Sequence, residues 1–192
     1  MKKLHALVLG ATGATGRELI QLLLNDSNFN KVSIFVRTVS KISDEKLTIH
    51  KIDFAKLEEY KDLIKGDILF SALGTTKKDA GGKNQQYEID YTYQFEFAKM
   101  ASENRVANYS LVSSTGANAK SLFFYPKIKG ALEEAVKKLN FQKIDIFQPP
   151  ILIRQLDLIR PGEKSVIKFL NAFNKVGLLK SQKPLRVEDL AS

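Results

Sequence analysis

One stretch near the start of the chain decides the fold: Leu4-His5-Ala6-Leu7-Val8-Leu9-Gly10-Ala11-Thr12-Gly13-Ala14-Thr15-Gly16-Arg17-Glu18. The run Leu4–Leu9 is apolar apart from His5 and reads as a buried strand. Three glycines at a spacing of three follow. From Thr15 to Asn25, Leu19, Leu22 and Leu23 share one stripe of a helix with polar residues opposite. Strand, glycine turn and helix N-terminus in direct succession are the setting of a dinucleotide-binding loop. Gly10 permits the turn, Gly13 lets backbone N–H groups approach a pyrophosphate, and Gly16 allows helix and strand to pack closely. The helix N-terminus adds unpaired N–H donors and the positive end of its dipole. Gly10, Thr12, Gly13, Ala14, Thr15 and Gly16 are therefore the expected phosphate cradle.

Outward from that loop, strand-like runs alternate with helical patterns, the signature of a parallel sheet covered on both faces. Strands are expected at Leu4–Leu9, Val32–Val36, Leu47–Ile52, Asp67–Ala72, Tyr109–Ser113 and Lys143–Phe147, with a weaker one at Leu185–Val187. Helices are expected at Thr15–Asn25, Lys83–Asn104 and Tyr125–Leu139. The last of these places Ile128, Leu132, Ala135, Val136 and Leu139 at helical spacing. The fold class is α/β, a single doubly wound Rossmann-type domain over residues 1–192. Pro149-Pro150 breaks the chain after the sixth strand, dividing a nucleotide-binding core, 1–148, from a small substrate lobe, 149–192. Val187-Glu188-Asp189-Leu190 reads as the start of a closing helix.

Composition narrows the chemistry. The chain has 192 residues, no Cys and two His, which removes disulfide frameworks, thiol nucleophiles and cysteine metal sites. His5 and His50 both sit in strand-like runs, so no metal site is expected. The formal net charge is +9, nearly all of it in the second half. The basic residues there are scattered singly, as on a solvated surface, so no nucleic acid is expected as a partner. No run reaches the ~18 apolar residues of a membrane span, and no membrane association is expected. The basic start gives way to Gly10 too early for a signal segment. Together these features lead to the expectation of a cytoplasmic protein.

The end of the second strand bears on the dinucleotide. A carboxylate there would accept from the 2′-hydroxyl of NAD, but this strand ends in Arg37-Thr38, with no acid before Asp44. Arg37 offers a planar guanidinium to a 2′-phosphate, so NADP is the expected cofactor. Asp53, past the third strand, is placed to accept from the adenine amino group, or else to cap a short helix beginning near Lys56.

Further segments carry a family resemblance. Ser71-Ala72-Leu73-Gly74-Thr75-Thr76 ends the fourth strand and Leu111-Val112-Ser113-Ser114-Thr115-Gly116-Ala117-Asn118 the fifth. Phe124-Tyr125-Pro126-Lys127-Ile128-Lys129-Gly130 opens a helix, and Ile159-Arg160-Pro161-Gly162-Glu163 follows later. With the glycine loop, these resemble the atypical short-chain dehydrogenases related to the Tat-interacting, metastasis-suppressor-type oxidoreductases, over nearly the whole chain. The resemblance implies an NADPH-binding Rossmann fold in which Leu73, Gly74 and Thr75 join the cofactor site.

The residues support that chemistry. Tyr125 and Lys129 lie one helical turn apart on one face. An ammonium beside a phenol, whose pKa is ~10 unperturbed, stabilises tyrosinate and draws the group toward general acid–base duty. Tyr125 would exchange a proton with a substrate oxygen, and Lys129 would also hold the nicotinamide ribose. Ser114, aligned on the family pattern, would hydrogen-bond the same oxygen, with Ser113 turned into the sheet. Catalytic Ser114, Tyr125 and Lys129 make the expected function an NADPH-dependent reduction or oxidation of a small carbonyl or alcohol. The alternative is a catalytically silent NADPH-binding regulatory protein. Where many extended family members read Arg-Pro-Gly after the sixth strand, this chain has Gln148-Pro149-Pro150. The aromatic helix at Lys83–Asn104 raises the expectation of a homodimer. The competing reading has Tyr91 and Phe95 filling the core while Tyr87 and Tyr93 line the cofactor groove.

Overall fold

The computed structural model describes residues 2–39, 42–150, 152, 153, 155 and 185–192. Six strands form one sheet: β1 Leu4–Leu9, β2 Phe29–Val36, β3 Leu47–Lys51, β4 Ile68–Ser71, β5 Asn108–Val112 and β6 Lys143–Phe147. Their order is β3-β2-β1-β4-β5-β6, and every pairing is parallel. Each expected strand of this sheet is present, β1 and β6 with the expected bounds and the others with one or both ends moved by one to three residues.

The apolar runs are continuous because the central strands are buried on both faces. Along β1, Ala6 and Val8 turn to one face while Leu7 and Leu9 turn to the other. On the first face, helix α1 (Ala14–Asn25) lays Leu19, Ile20 and Leu23 against Val32 and Ile34. A 3-10 helix at Phe54–Leu63 covers the second face together with helices α4 (Tyr93–Glu103) and α5 (Phe124–Val136). There Leu57, Phe97, Met100, Leu132 and Val136 meet Leu7, Leu9, Phe35 and Leu111. Between β4 and α4 lie two short helices, α2 (Lys77–Ala80) and α3 (Lys83–Tyr87).

The expected single helix Lys83–Asn104 is interrupted. A π turn at Glu88–Thr92 joins α3 to α4, a feature that often marks functional positions. It carries Asp90 inward, and Gln94 follows in the first turn of α4, both completely buried. Gln94 donates to the Asp90 carbonyl (2.9 Å) and accepts from Ser71 at the end of β4 (2.9 Å). The aromatics of this helix divide their work: Phe97 is in the core, Tyr91 and Phe95 pack against it, and Tyr87 stacks on Tyr91. Helix α5 stops at Val136 instead of Leu139, because Lys138 and Leu139 bond three residues back and tighten the last turn.

Beyond β6, strand β7 (Leu152–Ile153) pairs with β8 (Leu185–Arg186) in a separate two-stranded ribbon. The weak late strand therefore exists, outside the main sheet. The expected closing helix follows as α6 (Val187–Ala191), whose Ala191 packs against the α1 face. The motif Ile159–Glu163 and most of the expected 149–192 lobe lie outside the described residues.

Candidate dinucleotide and substrate site

In the strand order, β1 and β4 are neighbours whose connections leave in opposite directions, so a crevice opens beyond their C-terminal ends. The chain is most constrained here. Gly10 has φ +86°, and a Cβ on it would strike the Ala72 carbonyl and the Leu73 amide. A Cβ on Gly16 would strike the Gly10 carbonyl. Two glycines thus let three segments, the β1 loop, the β4 loop and the start of α1, touch backbone to backbone. Gly13 caps α1 without a side-chain hydrogen bond, and the first turn of α1 contains no acid. The N–H groups at this end are therefore left for an anionic ligand, and the cradle fits a pyrophosphate. Thr12 is exposed in the same loop.

A cavity of about 120 Å³ lies in this crevice. Gly13, Ala14 and Thr15 line it on one side, and Ala72, Leu73, Gly74 and Thr75 on another. Val112 and Ser113 at the end of β5, Tyr125 and Lys129 of α5, and Leu152 complete the wall. Six of the expected cofactor residues from the first two loops thus meet Tyr125 and Lys129 around one space. Tyr125 is 37% exposed, whereas Lys129 is only 2% exposed. The Lys129 ammonium donates to the Val112 carbonyl (3.3 Å). Burial pushes its pKa below the ordinary lysine value, and the carboxylates of Asp90 and Glu133 oppose that shift.

The two adjacent serines part company. The Ser113 hydroxyl donates to the buried Glu133 carboxylate, and Gln148 donates to both oxygens of that carboxylate (2.9 and 3.0 Å). Ser114 is half-buried, its hydroxyl makes a long contact with the Thr115 carbonyl (3.4 Å), and it is not among the residues lining the cavity. Continuing the β5–β6 ladder, Ser113 N–H donates to Phe147 (2.7 Å) and Thr115 N–H to Pro149 (3.0 Å). The Gln148-Pro149 departure is therefore tied down from two sides.

Farther along the same edge of the sheet is a larger cavity of about 690 Å³, lined by Arg37, Lys51 and Asp53 together with Phe54, Tyr93 and others. Asp53 accepts from the Ala55 amide (3.0 Å) and so caps the 3-10 helix while still facing this cavity. Tyr93 lies against Phe54, ring centroids 5.4 Å apart.

The sequence reading missed Asp90, Glu133 and Lys51. Asp90 accepts from the Thr75 amide (3.2 Å) out of the π turn and stands 3.3 Å from where a Gly74 Cβ would be. The available signal for Glu133 was its spacing: it lies four residues after Lys129, beside the apolar stripe Ile128-Leu132-Val136.

Architecture and crevice together define a dinucleotide-binding α/β protein of the Rossmann type. Residues 10–142 match the family described as NAD(P)H-binding, and the chain belongs to that family. It is 32% identical to protein HTATIP2 of Rattus norvegicus over 176 residues, covering 90% of this chain and 72% of that one. It is 35% identical to protein FMP52-1, mitochondrial, of Scheffersomyces stipitis over 182 residues, covering 92% and 76%. Among solved structures, a short chain dehydrogenase family protein from Francisella tularensis superposes with a TM-score of 0.69 at 18% identity, over 98% of this chain and 88% of that one. The Bordetella bronchiseptica enzyme WbmG in complex with NAD gives 0.69 at 13% identity, over 92% and 61%. At those identities the likeness is one of fold.

One expectation is corrected. Further fungal relatives carry the designation mitochondrial in their names, which overturns the cytoplasmic assignment. That assignment rested on missing features, and a missing signal or cysteine does not identify a compartment. Among the described residues, no helix is long and apolar enough to cross a membrane.

Proposed function

We propose that this protein is an NADPH-dependent oxidoreductase that interconverts a small carbonyl compound and its alcohol. The observation that carries the reading is the convergence of Tyr125 and Lys129 on the cavity lined by Gly13–Thr15 and Leu73–Thr75. A nicotinamide held in the crevice supplies or accepts the hydride. In the reductive direction Tyr125 gives its phenolic proton to the carbonyl oxygen as the carbon takes the hydride, leaving tyrosinate to be reprotonated from solvent. The buried Lys129 ammonium stabilises that tyrosinate and holds the nicotinamide ribose. Ser114 donates to the substrate oxygen, because the neighbouring Ser113 hydroxyl is already committed to Glu133. At the adenine end, Asp53 accepts from the adenine amino group and Arg37 binds the 2′-phosphate. Residues 1–148 hold the nucleotide and 149–192 shape the substrate side. For a homodimer, the other part of the reading, Tyr87 is the aromatic of its helix most exposed to a second copy; light scattering checks it.

The test is NADPH oxidation with a panel of aldehydes, ketones and quinones. Turnover by the wild type that is lost in Tyr125→Phe supports the enzyme. An inert wild type with full nucleotide occupancy replaces it with the regulatory reading.

A further inference from the structure

We infer that Lys51 is a specificity-determining residue, the second cation of a 2′-phosphate seat whose first is Arg37. The inference rests on the NADPH reading and adds to it a residue that no feature of the glycine loop or the second strand foretold.

The sheet register carries it. Parallel pairing sets Val36 of β2 opposite Lys51 of β3, and Arg37 is the next residue along. The two cations thus stand one residue out of step at the ends of neighbouring strands, whose axes lie about 4.8 Å apart, and both line the same 690 Å³ cavity. Neither is held in an ion pair among the described residues. Two carboxylates share the cavity wall, but one already has an assignment: Asp53 accepts from the Ala55 amide at the head of the 3-10 helix. Glu88 belongs to the π turn, on a different element from the strand ends that carry the two cations.

The chemistry of the pair is specific. A ribose hydroxyl would leave two adjacent cations uncompensated, whereas a phosphate monoester near neutral pH carries almost two negative charges. Arg37 supplies a planar fork for two phosphate oxygens, and Lys51 supplies a compact charge on a flexible stem. An exposed lysine at a strand end is ordinarily a solvated charge. Here the register and the shared cavity give it a partner of opposite sign.

The test is calorimetric titration of the full chain with 2′,5′-ADP and 5′-AMP, which differ only in the 2′-phosphate, and with NADPH and NADH. Wild type, Lys51→Met, Lys51→Arg and Arg37→Ala are compared, with thermal melts to check folding. Lys51→Met is expected to weaken 2′,5′-ADP and NADPH by about tenfold. It should leave 5′-AMP and NADH within about twofold and flatten the salt dependence of NADPH binding. Lys51→Arg should retain most of the wild-type preference. A wild type that prefers NADPH, combined with a Lys51→Met that weakens all four ligands alike or none, overturns the role of Lys51 while the NADPH reading stands. Equal wild-type affinity for 2′,5′-ADP and 5′-AMP overturns both.

Discussion

The hydroxyl of Ser113 donates to the carboxylate of Glu133, tying the end of β5 to the third turn of α5. Gln148, the residue directly after β6, donates to both oxygens of the same carboxylate. A buried carboxylate held by both partners fixes the wall behind Lys129. The consequence for the neighbouring serines is opposite roles. Ser113→Ala should lower stability and leave the catalytic constant near wild type. Ser114→Ala should lower turnover about 10²-fold, as for removal of a donor to a reacting oxygen, with the melting temperature unchanged. Glu133→Ala, which strips partners from Ser113 and Gln148, should cost about 1–3 kcal/mol in denaturant unfolding. A stability loss confined to Ser114→Ala would reverse the assignment.

Tyr125 and Lys129 should be separable by kinetics against binding. Tyr125→Phe removes only the transferred proton's partner, so carbonyl reduction should fall by about 10²–10⁴-fold while NADPH affinity stays within a factor of two. Lys129→Met should damage both, because in the proposed mechanism the ammonium serves the phenol and the ribose together. Steady-state rates alongside fluorescence titration of NADPH decide it. Full activity in Tyr125→Phe would end the general acid–base role.

The contact between α1 and the glycine turn predicts a coupled loss. Gly16→Ala drives a methyl group into the Gly10 carbonyl, and overpacking of this kind costs about 1–3 kcal/mol. Since the strain falls on the phosphate cradle, nucleotide affinity and melting temperature should fall together. A variant that melts lower yet binds NADPH as tightly as wild type would separate the turn from the ligand.

The two histidines predict acid sensitivity near neutral pH. His50 stacks on Phe35 (4.9 Å) and His5 shares a hydrogen bond with Ser33 (2.9 Å). Burial holds both below the ordinary imidazole value, and Lys31 lowers each further, with Asp67 partly opposing at His5. The folded chain therefore takes up protons less readily than the unfolded chain, whose histidines titrate near ~6.5. Stability should be level above that pH and decline as pH falls through the window beneath it. Asp67, held low chiefly by Lys2, adds its loss only below about pH 4. Chemical denaturation at pH 7.5 and pH 5 should show the decline, and His50→Phe should reduce it. An unchanged decline in that variant would remove His50 as a cause.

Tyr109 is 1% exposed, and its hydroxyl has no hydrogen-bond partner among the described residues. The nearby Ser71 gives its own proton to Gln94. Removing a buried hydroxyl that meets no partner at full hydrogen-bond geometry relieves a desolvation cost, so Tyr109→Phe should be neutral or stabilising by up to about 1 kcal/mol. The stack on Phe141, at 5.1 Å, is kept in that variant. A destabilisation beyond about 1 kcal/mol in urea unfolding would mean that the hydroxyl is satisfied.

Local pattern was enough for much of this molecule, because much of it is governed by local rules. The apolar run Leu4–Leu9, the glycines at 10, 13 and 16 and the stripe on α1 specify strand, turn and helix within about twenty residues. Alternation of strands and helices then leaves few topologies besides a doubly wound sheet. The pairing of Tyr125 with Lys129 was likewise legible, since one helical turn brings them together whatever surrounds them. Other features were settled only by contacts between distant segments. Asp90 meets Thr75 across 15 positions and Glu133 meets Ser113 across 20. In sequence each acid looks like part of a solvated face, because charge pattern records which side chains are polar and not which are enclosed. The π turn that aims Asp90, the commitment of Ser113 in place of Ser114, and the alignment of Lys51 with Val36 all depend on register and packing. Those are properties of elements brought together from far along the chain, and the tertiary structure alone decides them.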